Sequence, residues 1–212
     1  MRSYLDLVVP VKRLDRAKSR LVGAADGGVG DPRAHADLVV AVALDTILAA
    51  SAADGVRDVV VVTSDPMLTA VLRAEGIRCV AEAEPGLNEA YRHGASVLGG
   101  SGPGRHVGAL QADLPALRSA ELAAAIAAAD GKRAFVPDRQ GTGTTLLIGA
   151  PDEPLDPRFG VGSAEAHRAS GAIELIGDWP SLRCDVDTEA DLAVAAQLGL
   201  GARTQQRFRL SA

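Results

Sequence analysis

The pentapeptide VVVVT at residues 59–63 decides the fold class, because four of its five side chains are apolar and β-branched. A strand without polar alternation is typical of a sheet that is covered on both faces. The segment LDLVVPV at residues 5–11 has a similar character. Each is followed along the chain by an Asp-Pro pair, Asp31-Pro32 and Asp65-Pro66, which predicts a helix with Asp as its N-cap and Pro at its first position. This alternation predicts an α/β fold with a doubly wound, mostly parallel sheet flanked by helices.

The rest of the chain continues the alternation. Further strands are predicted at residues 78–81, 106–111, 134–137, 144–149, 172–176 and 184–186, and further helices end near Leu98, span residues 119–129 and 164–169, and begin after Thr188. The second half has more strands per helix, so we expect antiparallel pairs there. At roughly 150 residues per domain, the length predicts a single domain, residues 1–212. Its last part, residues 202–212, is a basic tail that fits either a solvated extension or an oligomer contact.

Composition argues against several classes of protein. The chain is 47% hydrophobic and 23% charged, as soluble globular proteins are, and its net charge is −5. This acidic balance argues against a nucleic-acid partner. Two cysteines, Cys79 and Cys184, are too few for a disulfide framework. The longest weakly polar stretch, residues 38–53, is interrupted by Asp45 and is too short for a membrane span, so we expect a cytoplasmic protein without a membrane partner.

Five cationic side chains lie within residues 12–20, directly after the first predicted strand. In an open α/β sheet, ligands bind beyond the carboxyl ends of the strands. A local cluster of positive charge at that place favours a polyanionic ligand, while an exposed, solvated loop is the alternative. The segment matches neither the P-loop pattern nor the dinucleotide pattern G-x-G-x-x-G, so it supports neither a P-loop ATPase nor a dinucleotide oxidoreductase.

Aspartates follow two of the predicted strands at the same edge. Asp113 follows the strand at residues 106–111, and Asp185 and Asp187 lie in the segment CDVDT. Mg²⁺ is commonly held by one or two carboxylates together with substrate phosphates. The pattern therefore favours a magnesium site built from Asp113 and Asp185. Asp187 directly precedes a helix cap, which leaves open whether it is a ligand or part of that cap.

Two loops combine glycines with hydroxyl side chains. The first is GTGTT at residues 141–145, and the second is RFGVGS at residues 158–163, which precedes a short helix. Ser163 is predicted as the N-cap of that helix. Glycines beside a helix N-terminus leave backbone N–H groups open to an anion, so these loops favour an anion site, with an ordinary glycine turn as the alternative.

The motifs occur in a fixed order: V-P-V-K-x5-K-S-R-L, G-L-N, A-D-L-P, G-T-G-T-T, F-G-x-G-S and D-V-D-T-x-x-D-L. In this order the chain resembles the guanylyltransferases of coenzyme F420 biosynthesis over residues 7–198. The resemblance implies a nucleotidyltransferase-type fold like that of nucleotide-diphospho-sugar transferases. It also implies a reaction in which GTP and a small phosphorylated three-carbon acid give a guanosine diphosphate adduct and pyrophosphate. The lysine-rich segment after the first strand departs from the glycine-rich loop of many other nucleotidyltransferases.

The resemblance assigns three sets of residues. Asp113 and Asp185 would bind the metal, Mg²⁺. The acceptor acid would be held by Thr145, Gly160 and Ser163. Five residues would bind GTP, and the two lysines among them are also expected to take part in catalysis: Lys12, Lys18, Arg20, Gly86 and Asn88.

The acceptor itself stays open, because phosphoenolpyruvate, 2-phospho-L-lactate and 3-phosphoglycerate differ by little more than a double bond or a hydroxyl group. A composition rich in Ala, Gly and Arg is typical of a high-GC actinobacterium and favours phosphoenolpyruvate. Two other hypotheses compete with this one: a nucleotidyltransferase that uses CTP or UTP, and a non-catalytic nucleotide-binding module. Further partners to be tested are a second copy of the chain and a downstream F420 transferase.

Overall fold

A computed structural model of the chain describes residues 4–12, 21, 24, 28–98, 105–151 and 153–209. Within these ranges the strands are β1 (Tyr4–Pro10), β2 (Val56–Val62), β3 (Arg78–Val80), β4 (Arg105–Leu110), β5 (Ala134–Pro137), β6 (Thr144–Ile148) and β7 (Ile173–Glu174). The helices are α1 (Pro32–Ser51), α2 (Pro66–Ala74), α3 (Leu87–Leu98), α4 (Ser119–Ala129), α5 (Ser163–Ala169), α6 (Glu189–Leu198) and α7 (Ala202–Arg209).

The seven strands form one sheet in the order β3-β2-β1-β4-β6-β5-β7. The pairs β1–β2, β1–β4, β2–β3 and β5–β7 are parallel, whereas β6 is antiparallel to both of its neighbours. Six strands therefore run in one direction and β6 runs in the other. The predicted mostly parallel sheet flanked by helices, with antiparallel pairs in the second half of the chain, is confirmed.

The predicted helix starts are confirmed by their hydrogen bonds. The carboxylates of Asp31 and Asp65 each accept from a backbone N–H in the first turn of the following helix, at 3.0 Å in both cases. Thr188 and Asp191 form the reciprocal bonds of a capping box at the start of α6. Capping satisfies N–H groups that have no partner inside the helix, which is why these residue types mark helix starts in a sequence.

The sheet is covered on both faces, as the apolar strand at residues 59–63 predicts. Along β1, Leu7 and Val9 face the layer packed against α1, α2 and α4, whereas Val8 faces the layer packed against α3 and α5. Gly94 allows α3 to approach the sheet closely, because a Cβ at this position would overlap Val8 Cγ1. A further apolar cluster joins α1 and α6 around the buried side chain of Cys184.

One of the predicted strands is absent and another is shorter than predicted. Residues 184–186 form no regular strand, because a single hydrogen bond, from Val186 N–H to the carbonyl of Asp113 at 3.0 Å, takes the place of a ladder. The strand predicted at residues 172–176 shrinks to Ile173–Glu174, since it lies at the edge of the sheet and pairs with β5 alone.

The predicted N-cap of α5 is wrong by one residue. Ser163 is the first residue of the helix, and the N-cap is Gly162, whose φ of +72° lies in the left-handed region. Glycine adopts this conformation without steric cost, whereas a serine would be strained there. The side chain of Ser163 is buried and does not cap the helix.

The predicted basic tail begins with a helix, so its solvated-extension alternative is wrong for residues 202–209. α7 packs against α1, and the Asp45 carboxylate accepts from the N–H groups of Arg203 and Thr204 at 3.3 and 2.7 Å. Residues 210–212 lie outside the described residues. Asp45, which interrupts an otherwise apolar stretch, thus caps a helix that lies far away in the sequence.

α1 is long and apolar enough to cross a membrane when it is judged by length and composition alone. The stretch at residues 38–53, which is too short for a membrane span when judged from the sequence, overlaps this helix of 20 residues. In the structure, most of α1 packs against β2, α4 and α7 and belongs to the core. Core helices of soluble proteins pass the same test, so the test by itself is weak evidence for a membrane span.

Candidate active site

The predicted site residues that the structure describes lie at the edge of the sheet where six of the strands end. Lys12 is exposed two residues beyond β1, and Asp113 lies three residues beyond β4. β6 runs in the opposite direction, so Thr145, near its beginning, lies at this same edge. Lys18 and Arg20 lie outside the described residues. Open α/β sheets bind ligands at the carboxyl ends of their strands, so this edge is the candidate active site.

The segment that carries Asp113 is fixed by two long-range hydrogen bonds. Leu114 N–H donates to Thr46 Oγ1, a fully buried hydroxyl on α1, at 3.0 Å. The carbonyl of Asp113 accepts from Val186 N–H at 3.0 Å. Because Val186 is bonded to Asp185 in the chain, this second bond places the two predicted metal-binding segments side by side.

The same turn is tied to the C-terminal helix. The carbonyl of Pro115 accepts from Gly201 N–H at 2.8 Å, one residue before α7. A Cβ at Gly201 would overlap the Asp45 carboxylate, which caps α7. α1, α7 and the turn after β4 therefore meet at one point, and each limits the movement of the others.

Asp185 lies in a concentration of negative charge. Burial, and after it the charges of Asp113, Asp138 and Asp187, raise the pKa of Asp185 to about 7. A cation near such a group favours its ionised form and offsets the repulsion between carboxylates. Asp187 is exposed, and its N–H donates to the Asp191 carboxylate at 3.4 Å, which fits a place beside the cap of α6.

The chemistry of the donor set suits Mg²⁺. Asp113 and Asp185 offer the hard oxygen ligands that this ion prefers. Among the described residues, no three His, Cys, Asp or Glu side chains form a metal-binding group by themselves. Mg²⁺ usually keeps several waters and binds through one or two carboxylates plus substrate phosphates, so two aspartates are enough from the protein.

Asp138 was not among the predicted site residues, yet it organises the hairpin loop, residues 138–143, between β5 and β6. Its carboxylate accepts from Thr142 N–H at 2.9 Å and from Gly143 N–H at 2.8 Å. A Cβ at Gly143 would overlap this carboxylate, so the loop requires glycine there. Arg183 donates to the carbonyl of Asp138 at 3.1 Å. An aspartate between a strand and a glycine-rich turn is the signal that points to this role.

The two predicted glycine-containing loops are in contact. Ala164 N–H donates to the carbonyl of Thr142 at 3.1 Å, which joins the start of α5 to the hairpin loop. The main-chain N–H groups of residues 160–162 donate to no acceptor in the described part of the chain. Ser163 is buried directly beside them. The 158–163 loop therefore presents main-chain donors of the kind that bind anions.

Thr145 lies at the junction of the hairpin loop and the end of β4. It is buried, and its hydroxyl donates to the carbonyl of Val136 on β5 at 3.4 Å. Its own carbonyl accepts from Gln111 N–H at 2.9 Å. These bonds place Thr145 next to the segment that leads to Asp113.

The buried ring of His167 links the 158–163 loop to β6. Its Nε2 accepts from Arg158 N–H at 3.0 Å, so the proton of the neutral ring is assigned to Nδ1, which lies 2.9 Å from Thr144 Oγ1. Burial, and after it the charge of Arg133, lower the pKa of His167 to about 4. The ring is therefore neutral at pH 7 and holds the loop as a structural link.

The predicted nucleotide segment contacts the 158–163 loop. Gly86 is exposed with a φ of +127°. Asn88 Nδ2 donates to the carbonyl of Phe159 at 3.0 Å, and Asn88 Oδ1 accepts from Phe159 N–H at 2.8 Å. The Phe159 ring stacks on Tyr91 with 4.5 Å between the ring centroids. The structure thus brings together two segments that the sequence assigns to different ligands.

A cavity of about 530 Å³ lies at the opposite edge of the sheet. Its lining includes the first residues of β1 and β4 and the loop after α4, with Tyr4, His106 and Gly131 among them. None of the predicted site residues takes part in it. The cavity therefore lies away from the candidate active site at the carboxyl edge.

Comparison with known proteins identifies the family of the chain. Residues 27–174 match the family model of the MobA-like NTP transferase domain. A protein named phosphoenolpyruvate guanylyltransferase from Salinispora arenicola is 52% identical, over 96% of this chain and 93% of that protein. A protein of the same name from Streptomyces avermitilis is 52% identical, over 93% of this chain and 91% of that protein.

Solved structures with low sequence identity share the fold. A protein from Desulfovibrio desulfuricans named as a nucleotide-diphospho-sugar transferase matches with a TM-score of 0.68 and 20% identity, over 98% of this chain and 94% of that chain. A nucleotidyl transferase from Methanothermobacter matches with a TM-score of 0.58 and 17% identity, over 92% of this chain and 97% of that chain. The expected nucleotide-diphospho-sugar transferase-like fold is confirmed.

Replacing Thr46 with Val keeps the shape of the side chain but removes the acceptor of the Leu114 N–H. A buried donor without an acceptor costs about 1–3 kcal/mol, so we expect the free energy of unfolding in urea to fall by that amount. Thr46→Ser keeps the hydroxyl and serves as the matched control, with a smaller loss. Amide hydrogen exchange at Leu114 should accelerate in Thr46→Val only, and equal acceleration in both variants would contradict a role for the hydroxyl.

The low pKa of His167 predicts a pH dependence of stability. The unfolded ring takes up a proton near pH 6.5, whereas the folded ring does so only near pH 4, so stability is present above pH 6.5 and is lost as the pH falls to 4. Between pH 7 and pH 4.5 we expect His167 to contribute about 2 kcal/mol to this loss. Urea unfolding at both pH values should show a smaller drop for His167→Gln, and an unchanged drop would refute the assignment.

Proposed function

The chain belongs to the MobA-like NTP transferase family, and on that basis we propose that it transfers GMP from GTP to phosphoenolpyruvate, releasing pyrophosphate and forming enolpyruvoyl-2-diphospho-5'-guanosine. It is a nucleotidyltransferase enzyme. The observation that carries the proposal is identity of about half of the residues, over more than nine-tenths of the chain, with proteins named phosphoenolpyruvate guanylyltransferase.

Asp113 and Asp185 are proposed to hold Mg²⁺. The support is the hydrogen bond from Val186 N–H to the carbonyl of Asp113, which joins the two segments, together with the hard oxygen ligands of the aspartates and the raised pKa of Asp185, which a cation would counteract. When bound, Mg²⁺ would neutralise phosphate charge and polarise the phosphoryl oxygen atoms. The protein then needs only to position the two substrates and to balance the remaining negative charge.

The transfer exchanges one phosphoanhydride bond for another. An oxygen of the acceptor phosphate attacks the α-phosphorus of GTP, and the bond from that phosphorus to the oxygen that bridges to the β-phosphate breaks. Lys12 at the end of β1, with Lys18 and Arg20 of the same basic segment, is proposed to neutralise the departing pyrophosphate. The attacking phosphate oxygen is already ionised at pH 7, so the reaction requires no general base. This fits the neutral, structural state of His167.

The acceptor acid is proposed to bind at the 158–163 loop. Main-chain N–H groups of residues 160–162, including Gly160, face no internal acceptor in the described part of the chain and would receive an anionic oxygen. Ser163 at the end of this loop and Thr145 on β6 are both buried and would add hydroxyl groups. The Gly86–Asn88 segment would lie along the guanine or the ribose of GTP.

The proposed product is an activated diphosphate adduct, so a second transferase must consume it. We place the enzyme in coenzyme F420 biosynthesis, in the cytoplasm, with an F420 transferase downstream. The proposal rests on the resemblance of the motif order and on the names of the relatives. Assembly of two or more copies of the chain is a separate proposal, which size-exclusion chromatography with light scattering tests directly.

The reaction is tested by pyrophosphate release from the purified protein with Mg²⁺. We expect release with GTP plus phosphoenolpyruvate, and little or none when ATP, CTP or UTP replaces GTP. 2-Phospho-L-lactate and 3-phosphoglycerate are assayed in parallel, and a preference for either one would replace phosphoenolpyruvate as the acceptor. Binding of nucleotide without release for any pair would contradict the enzymatic proposal and favour a binding module.

Substitution of the two aspartates separates catalysis from folding. Asp113→Asn and Asp185→Asn are each expected to lower turnover by more than about 100-fold, because each variant loses a ligand of the Mg²⁺ that would balance the phosphate charge. Asp185→Asn should unfold in Mg²⁺-free urea at the same or a higher concentration than the wild type, since it removes a repelled, buried charge. Asp187→Asn is the matched control and should retain most of the turnover. Near-normal turnover in both site variants would refute the metal site.

A further inference from the structure

Asn88 links two parts of the site through its side-chain amide. Its Nδ2 donates to the carbonyl of Phe159 at 3.0 Å, and its Oδ1 accepts from the N–H of the same residue at 2.8 Å. The two residues lie 71 positions apart in the sequence. A two-point bond between one amide and one backbone unit fixes both the distance and the orientation of that unit. Phe159 directly precedes the main-chain N–H groups of residues 160–162.

A second side chain on the same helix supports the same loop. Tyr91 lies three positions after Asn88, so both side chains lie on one face of α3. The Tyr91 ring stacks on Phe159, and its hydroxyl donates to the carbonyl of Leu110 at 3.1 Å. Burial, and after it the charge of Asp113, raise the pKa of Tyr91 above its ordinary value, so the hydroxyl stays protonated and keeps donating.

These contacts join three segments of the site. One face of α3 reaches the 158–163 loop through Asn88 and Phe159, and reaches the end of β4 through Tyr91 and Leu110. The end of β4 leads directly to Asp113. A displacement of the start of α3 would therefore move the acceptor side of the site, even if the nucleotide contacts elsewhere were kept.

We propose that Asn88 is a positioning residue for the acceptor acid, which holds Phe159 so that the main-chain donors of residues 160–162 face the acid. The inference deepens the proposed function and rests on it. In this role the side chain of Asn88 sets the affinity for the acceptor rather than that for GTP. The nucleotide is left to the main chain around Gly86 and to the basic segment that begins at Lys12.

The competing role is a direct bond from the Asn88 side chain to the nucleotide. An amide has two N–H donors and two acceptor lone pairs, and one of each is already used on Phe159. Removing the side chain would leave the N–H and the carbonyl of Phe159 without these partners in either case. The two roles therefore differ in which substrate loses affinity, and kinetics with each substrate varied in turn separates them.

The experiment measures pyrophosphate release by the full-length enzyme, with phosphoenolpyruvate varied at saturating GTP and GTP varied at saturating phosphoenolpyruvate. For Asn88→Ala we expect the KM for phosphoenolpyruvate to rise about tenfold, as loss of a hydrogen-bonded contact of this kind allows. The KM for GTP should stay within about twofold of the wild-type value. Tyr91→Phe, which removes only the hydroxyl, should raise the acceptor KM by less.

Two further variants keep the inference open to refutation. Asn88→Asp has nearly the same shape and retains the acceptor for Phe159 N–H, but it places an oxygen against the carbonyl of Phe159 in place of the donor. It should raise the acceptor KM even if Asn88→Ala fails to fold. Ser96→Ala is the control on α3, because Ser96 is exposed and its hydroxyl donates to the carbonyl of His93 on the same helix. Its kinetic constants should match those of the wild type.

The outcomes are distinct. An increase in the KM for GTP with an unchanged acceptor KM would overturn the inference and make the side chain of Asn88 a nucleotide ligand. A lower melting temperature with both KM values unchanged would also overturn it, since Asn88 would then serve stability alone. Failure of the wild type to release pyrophosphate with any acceptor would instead refute the proposed function. The wild-type assay is therefore run first, and the variants are compared with it.

Discussion

The hydrogen bond from Leu114 N–H to Thr46 Oγ1 is the constraint on which the geometry of the site depends. The Thr46 hydroxyl donates its own proton to the carbonyl of Val42 at 2.8 Å, so a lone pair of its oxygen is directed at the turn after β4. Because this hydroxyl is fully buried, water cannot replace it as the acceptor. The position of Asp113 is thereby set by the packing of α1 in the core rather than by a flexible surface loop.

The region proposed to bind the acceptor follows the same design, in which side chains serve to fix the main chain. Asp138 holds the hairpin loop through two N–H groups, and His167 and Asn88 hold the 158–163 loop through the N–H groups of Arg158 and Phe159. The groups that remain for a ligand are mainly backbone N–H groups and hydroxyls. A site of this kind depends on shape and on the direction of its donors, which explains why the residue types in the sequence do not discriminate between similar phosphorylated acids.

The fold and the edge of the sheet at which the candidate site residues lie could be predicted from local patterns, whereas the links between distant segments could not. Capping aspartates, apolar strands and the aspartate after β4 are signals contained within a few residues, and the structure agrees with them. Asn88 and Phe159 meet only because α3 and the 158–163 loop pack on the same face of the sheet. The segment at residues 184–186 misled the prediction for a related reason, since its apolar side chains, Cys184 and Val186, pack against α1 and α6 rather than into the sheet.

The charges of the site explain why its parts lie where they do. Asp113, Asp138, Asp185 and Asp187 repel one another, and both proposed substrates are anionic as well, in a chain whose net charge is already −5. Long-range attraction by the whole protein therefore cannot bring a nucleoside triphosphate to this edge. Compensation has to be local, and the basic segment that begins at Lys12 follows the central strand β1, which is hydrogen-bonded to β4. The order of the strands thus brings Lys12 and Asp113 to the same edge of the sheet, where a triphosphate and a divalent cation would together balance the charges of the proposed site.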